Sequence, residues 1–147
     1  MEQTRKNLKL SSIVVLVLAG FSMLQVVCEL FFGELSNAII QEGAPDNILL
    51  IRRIILFSFA LLLMLPGIYI GIKGLRIAKK PNSSKGHIVW GIILLVLTSL
   101  SLISPVVDII NNGFKYDYIS EFLRIAVEAT AFFEYIKYAI ALRKAIA

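Results

Sequence analysis

Polar and apolar positions along this chain do not alternate; they fall in blocks. Four runs of mainly apolar residues occupy 10–32, 54–78, 87–110 and 119–142, separated by short polar segments. Each run meets the length of about 20 residues that an α-helix needs to cross the hydrocarbon core of a bilayer. An isolated apolar strand would leave its backbone N–H and C=O groups unsatisfied in lipid, so helix is predicted throughout despite the many Ile and Val residues. The second helix is expected to run on to about Lys80. The connections are "GELSNAIIQEGAPDN" (33–47), "KKPNSSKG" (79–86) and "NNGFKYDY" (111–118). Gly43, Pro45 and Asp46 break the chain in the first. In the third, Asn112-Gly113 ends one helix and Asp117 is the expected N-cap of the next.

Composition narrows the class. Of 147 residues 58% are hydrophobic, against roughly 45–50% apolar in soluble domains. No soluble module or low-complexity tract is visible. The expectation is therefore an all-α integral membrane protein, one four-helix transmembrane domain over 1–147 with short loops and antiparallel neighbours. The N-terminus superficially matches a signal peptide, with Arg5, Lys6 and Lys9 before an apolar run. That run is too long for a signal h-region and no small-residue cleavage site follows, so it is read as a retained first span.

The formal net charge is +5. The cations flank the apolar runs, which marks cytoplasmic loops rather than a nucleic-acid surface, and no nucleic-acid partner is expected. Eleven of the 15 Lys and Arg residues lie at the N-terminus, in 73–85 and from Lys137 onward, against four elsewhere: Arg52, Arg53, Lys115 and Arg124. This bias predicts a protein of the cell membrane with both termini cytoplasmic. Asn82-Ser83-Ser84 matches a glycosylation sequon, but that orientation puts it inside.

The chemistry-bearing residues are few. Cys28 is the single cysteine, so no internal disulfide or CxxC pair is available. His87 is the single histidine, sits beside Trp90 where interfacial anchoring is ordinary, and is predicted far from Cys28. No metal, no cofactor and no catalytic residue is expected: there is no phosphate-binding glycine loop and no nucleophile–base pair.

"LPGIYIGIKG" (65–74) places Gly67, Gly71 and Gly74 close to one helix face, with Pro66 expected to kink the helix. Gly86 and Gly91 lie near the same end of the third run. Small residues let helices approach closely where no hydrophobic drive operates between them. The pattern fits either packing of the second span on the third or a dimer interface. The wider segment "GIYIGIKGLRIAKKPNSSKGHIVWGIILLVLTSLSLI" (67–103) resembles the centre of small bacterial four-span proteins of unknown function, and is distantly similar to the mammalian membrane-spanning four-domain tetraspans. That resemblance implies a tetraspan bundle that associates with partners or with itself, and it supplies no catalytic residue.

Polar residues inside the runs form stripes: Ser22, Gln25 and Glu29; Thr98, Ser101, Pro105 and Asp108; Arg124, Glu128, Ala131 and Tyr135. Such stripes are expected to face the bundle interior. Glu29, Arg52, Arg53, Asp108 and Arg124 fall at one depth, with Glu121 beside them, and predict either an outer polar cluster of ion pairs or an outward vestibule for an ion or small solute. Glu128 and Glu134 flank the middle of the fourth span about 120° apart in projection, so they do not form one site. Arg124 is i−4 to Glu128 and Lys137 is i+3 to Glu134, which predicts a pair for each. Glu134 is the stronger proton or cation candidate, because the stem of Lys137 is able to snorkel its charge away. The leading expectation is a non-enzymatic small tetraspan acting by association with another membrane component, as an accessory, regulatory or immunity-type partner, or with itself. The alternative is a proton- or cation-coupled transporter or channel subunit using Glu134 or Glu128.

Overall fold

The computed structural model describes residues 1–32 and 45–146, and every regular element among them is helical: α1 (Glu2–Phe32), α2 (Asp46–Lys79), α3 (Gly86–Leu100), α4 (Ile103–Asn112) and α5 (Asp117–Ile146). Glu34, Glu42 and Gly43 of the first connection lie outside the described residues. Three stretches are long and apolar enough to cross a membrane: Glu2–Phe32, Asp46–Lys79 and Gly86–Asn112. The helix of the fourth run, α5, is of similar length but carries Glu128, Glu134 and Lys137 within its most apolar stretch, 125–142.

The helices overrun the apolar blocks. α1 starts at Glu2 rather than near Leu10, and its polar first turns carry an exposed Glu2–Lys6 pair at 3.0 Å. α2 starts at Asp46 instead of Ile54, and the acid in its first turn favours the positive helix end. Pro66 lies inside α2, and the helix continues past it.

The third run, expected as one helix over 87–110, divides at Ser101–Leu102 into α3 and α4. The cause is Pro105. It has no N–H to give the Ser101 carbonyl, and its ring crowds that carbonyl. The chain answers with a tighter turn, in which Leu102 N–H donates to the Ser99 carbonyl at 3.2 Å and the Ser101 hydroxyl donates to the Thr98 carbonyl at 2.5 Å. Pro105 then falls in the first turn of α4, where a missing N–H costs nothing.

α4 stops where Asn112-Gly113 predicts. Gly113 has φ +79°, a region open to glycine, and its N–H donates to the Ile109 carbonyl at 2.9 Å. Asp117 does not cap α5 from outside, as the sequence implies; it sits within the first turn, and its carbonyl accepts from the Ser120 hydroxyl at 2.8 Å.

The chain packs as two compact units: Met1–Leu16 with Gly67–Ala147, and Val17–Pro66. In the first, the buried residues recur at helical spacing: Leu8, Ser12 and Val15 on α1; Ile70, Gly74 and Ile77 on α2; His87, Ile88 and Gly91 on α3; Tyr135, Ala139 and Leu142 on α5. In the second, Arg53 places its guanidinium 5.2 Å from the centre of the Phe31 ring, a cation–π contact between α1 and α2. Large apolar side chains stay exposed along the helices, among them Phe21, Leu24, Ile55, Phe59, Leu63, Val96, Leu97 and Phe133. In water such surface drives aggregation; in a bilayer it is the face presented to lipid.

Candidate functional site

Two features of the first unit stand out, a buried polar node and an open groove. The node is built around Tyr135. Its side chain is fully buried, and its hydroxyl lies 2.7 Å from Nδ1 of His87, itself only 2% exposed. The rings meet edge to face, with centroids 5.9 Å apart and planes at 85°. A buried phenol and a buried imidazole each carry a desolvation cost, and the hydrogen bond between them helps to offset it. Since α3 contributes the imidazole and α5 the phenol, the bond fixes the register of one helix against the other.

Glycines make room for the node. A Cβ on Gly74 would collide with the Ser12 hydroxyl and would lie 2.5 Å from Cε2 of Tyr135. A Cβ on Gly91 would lie 3.1 Å from Ile136 and 3.5 Å from Tyr135. Ser12 is buried and donates to the Leu8 carbonyl at 2.7 Å, so its hydroxyl needs no other partner. α1, α2, α3 and α5 thus converge on one point. Gly71 meets Leu16 of α1, 2.5 Å from a built Cβ. The partners of Gly71 and Gly74 within the unit are therefore α1 and α5, where the sequence offers the third span or a second copy. A built Cβ at Gly67 has nothing within 4 Å.

The groove lies between α1 and α5, with a volume of about 500 Å³. Leu10 and Val14 form one wall and Leu123, Ala126, Val127 and Ala131 the other, with Asn7, Ser11, Thr130, Glu134 and Tyr138 as its polar members. Two of these bond back to their own helices: Ser11 donates to the Asn7 carbonyl and Thr130 to the Ala126 carbonyl, at 2.9 and 2.8 Å. Glu134 is the one carboxylate on the lining. Its carboxylate lies 3.5 Å from Nζ of Lys137, a loose pair that is partly exposed on both sides. The same ammonium sits 5.1 Å from the centre of the Tyr138 ring.

The other sequence-selected residues are less tightly held. Glu29, Arg52 and Arg53 belong to the unit of residues 17–66, and Asp108, Arg124 and Glu128 to the other. Among the described residues no ion pair joins Arg124 to Glu128 or to Asp108, although the first pair is spaced i, i+4. Arginine on the N-terminal side of glutamate is the weaker order for such a pair, and Arg124 is exposed. Glu121 and Glu128 are half-buried; Asp108 and Glu29 are exposed.

Sequence reasoning treats His87 as an interfacial residue and Tyr135 only as the end of a stripe. The usable signal was the column of small residues, Ser12, Gly74 and Gly91, which leaves space for one large side chain. Comparison with known proteins finds no family model, no curated protein and no solved structure that matches this chain.

Proposed function

We propose that this chain is a four-span membrane protein with both termini in the cytoplasm, and that it acts without catalysis, by lateral association. In this reading the α1–α5 groove receives an apolar helix of a partner membrane protein, and a basic side chain of that helix pairs with Glu134. The groove carries the proposal. It is open, lined largely by small and apolar residues, and the hydroxyls of Ser11 and Thr130 are already satisfied by their own helices. Its one carboxylate has a resident cation that is loosely held and able to withdraw towards the interface. The glycines that would otherwise form a docking stripe, Gly71, Gly74 and Gly91, are occupied within the unit. The likeness of 67–103 to four-span proteins and the cation bias support the four-span topology with cytoplasmic termini. Tyr116 and Phe114 beyond α4 and Trp90 early in α3 suit the two interfacial belts.

A photo-crosslinking residue at Val127 in living cells tests this. The expected product is a discrete adduct with one membrane protein that carries a Lys or Arg in a span, and Glu134→Gln or the groove-filling Thr130→Trp should abolish it. An adduct of twice the chain mass would assign the groove to a second copy. Crosslinks to lipid alone would remove the association reading.

The carboxylate on an open groove also favours a second reading, transport coupled to a proton or cation on Glu134. Reconstituted in vesicles, the chain would then acidify or alkalinise the lumen along an imposed substrate gradient, and Glu134→Gln would not.

A further inference from the structure

A second cavity, of about 550 Å³, opens between the N-terminal turns of α1 and the C-terminal end of α2. Its wall is basic, formed by Arg5, Lys6 and Lys9 from α1 and Lys79 from α2. Glu2 shares the wall but is engaged by Lys6 at 3.0 Å. Arg5 holds the two helix ends together. Its Nε donates to the Ala78 carbonyl at 2.8 Å, and a terminal nitrogen donates to the Lys79 carbonyl at 2.7 Å. These carbonyls belong to the last turn of α2, where no helical N–H remains to satisfy them. The guanidinium therefore does two things. It caps the negative end of α2, and it is fixed in the cavity wall with its remaining N–H donors available to an anion.

The depth of the cavity is as informative as its charge. Lys9 immediately precedes the apolar run of α1, and Lys79 immediately follows Ala78 at the end of the apolar part of α2. In the four-span reading proposed above, on which this inference rests, both sit where hydrocarbon gives way to headgroups. Basic residues scattered along a membrane face attract anionic lipid diffusely. Here cations from two helices converge on one cavity, and basic pockets between membrane helices hold lipid phosphate in this way.

We propose that this cavity is a binding site for the phosphate headgroup of an anionic phospholipid, with Lys9 and Lys79 supplying net charge, Lys6 offsetting Glu2, and Arg5 a fixed donor. The acyl chains would leave along the exposed apolar surface beside Leu10, which is 63% exposed. The site is independent of the α1–α5 groove and of which leaflet this end faces.

The test uses the full chain purified in neutral detergent, titrated with phosphatidylglycerol, phosphatidylcholine or inorganic phosphate and followed by native mass spectrometry and thermal unfolding. Phosphatidylglycerol should give one saturable adduct and raise the unfolding midpoint; phosphatidylcholine at the same concentration should do neither. Lys6→Ala/Lys9→Ala, two exposed positions, should weaken phosphatidylglycerol binding at least about tenfold. Arg143→Ala/Lys144→Ala removes the same charge elsewhere and should leave binding unchanged. Equal loss in both double variants would mean bulk charge attraction and would overturn the site. Equal stabilisation by phosphatidylcholine, or binding that survives Lys6→Ala/Lys9→Ala, would overturn it as well. Inorganic phosphate matching the lipid at equal concentration would assign the cavity to a soluble phosphate and defeat the lipid proposal.

Discussion

The hydroxyl of Tyr135 and Nδ1 of His87, 48 positions apart in the chain, lie 2.7 Å from each other with both side chains buried. The bond ties α3 to α5 in the buried part of the first unit. Interhelical hydrogen bonds in membrane proteins contribute about 0.6 kcal/mol on average and up to about 1.7. Tyr135→Phe should therefore lower stability in detergent by roughly 0.5–2 kcal/mol, since it also strands the imidazole nitrogen. His87→Phe should cost a comparable amount. In a double-mutant cycle read by denaturant unfolding, the two losses should be clearly non-additive; full additivity would mean that the pair does not couple the helices.

The glycines should divide sharply. Gly74→Ala forces a methyl against the Ser12 hydroxyl and the Tyr135 ring, and overpacking of this kind typically costs about 1–3 kcal/mol. Gly67→Ala meets nothing within 4 Å and should be neutral or stabilise the helix by up to about 1 kcal/mol. Thermal unfolding of the two variants side by side decides it. Equal destabilisation would show that the space around Gly74 is not what that glycine provides.

The carboxylates should separate too. Glu134→Gln should leave folding nearly unchanged, because a partly exposed pair contributes less than about 1 kcal/mol, yet eliminate the crosslink or transport signal. Glu128→Gln should alter neither, since Arg124 does not pair with it. A Glu134→Gln protein with full activity in both assays would reduce that residue to a packing role.

Topology is accessible to thiol labelling once Cys28 is replaced by Ser. A cysteine at Ser84 should resist an impermeant reagent in intact cells, and one at Lys115 should react. The reverse pattern would invert the orientation.

Much of this was readable from residue order, and the reason is local. Helix is forced wherever apolar runs are long, because a backbone in lipid must bond within its own segment. The Glu134–Lys137 pair lies within one turn, so its possibility is contained in the sequence. So is the stop at Gly113, which depends on one residue's freedom at positive φ. The break at Ser101–Leu102 follows from Pro105 and the carbonyl four residues before it, a rule as local as the others, yet it is hidden beneath an unbroken apolar pattern.

What the tertiary structure alone decided is which faces meet. Periodicity places Gly71 and Gly74 on one side of α2, but every helix here offers an apolar side, and hydrophobicity does not discriminate among apolar partners in lipid. The choice of α1 and α5 came from shape: Leu16 and Tyr135 fill the spaces the glycines leave. The Tyr135–His87 bond exists because those helices settle at one particular register. The Arg124–Glu128 pair, allowed by its spacing, was not formed. The sequence by itself determined the helices and the chemistry available on each; packing of their side chains determined which of those groups share a site.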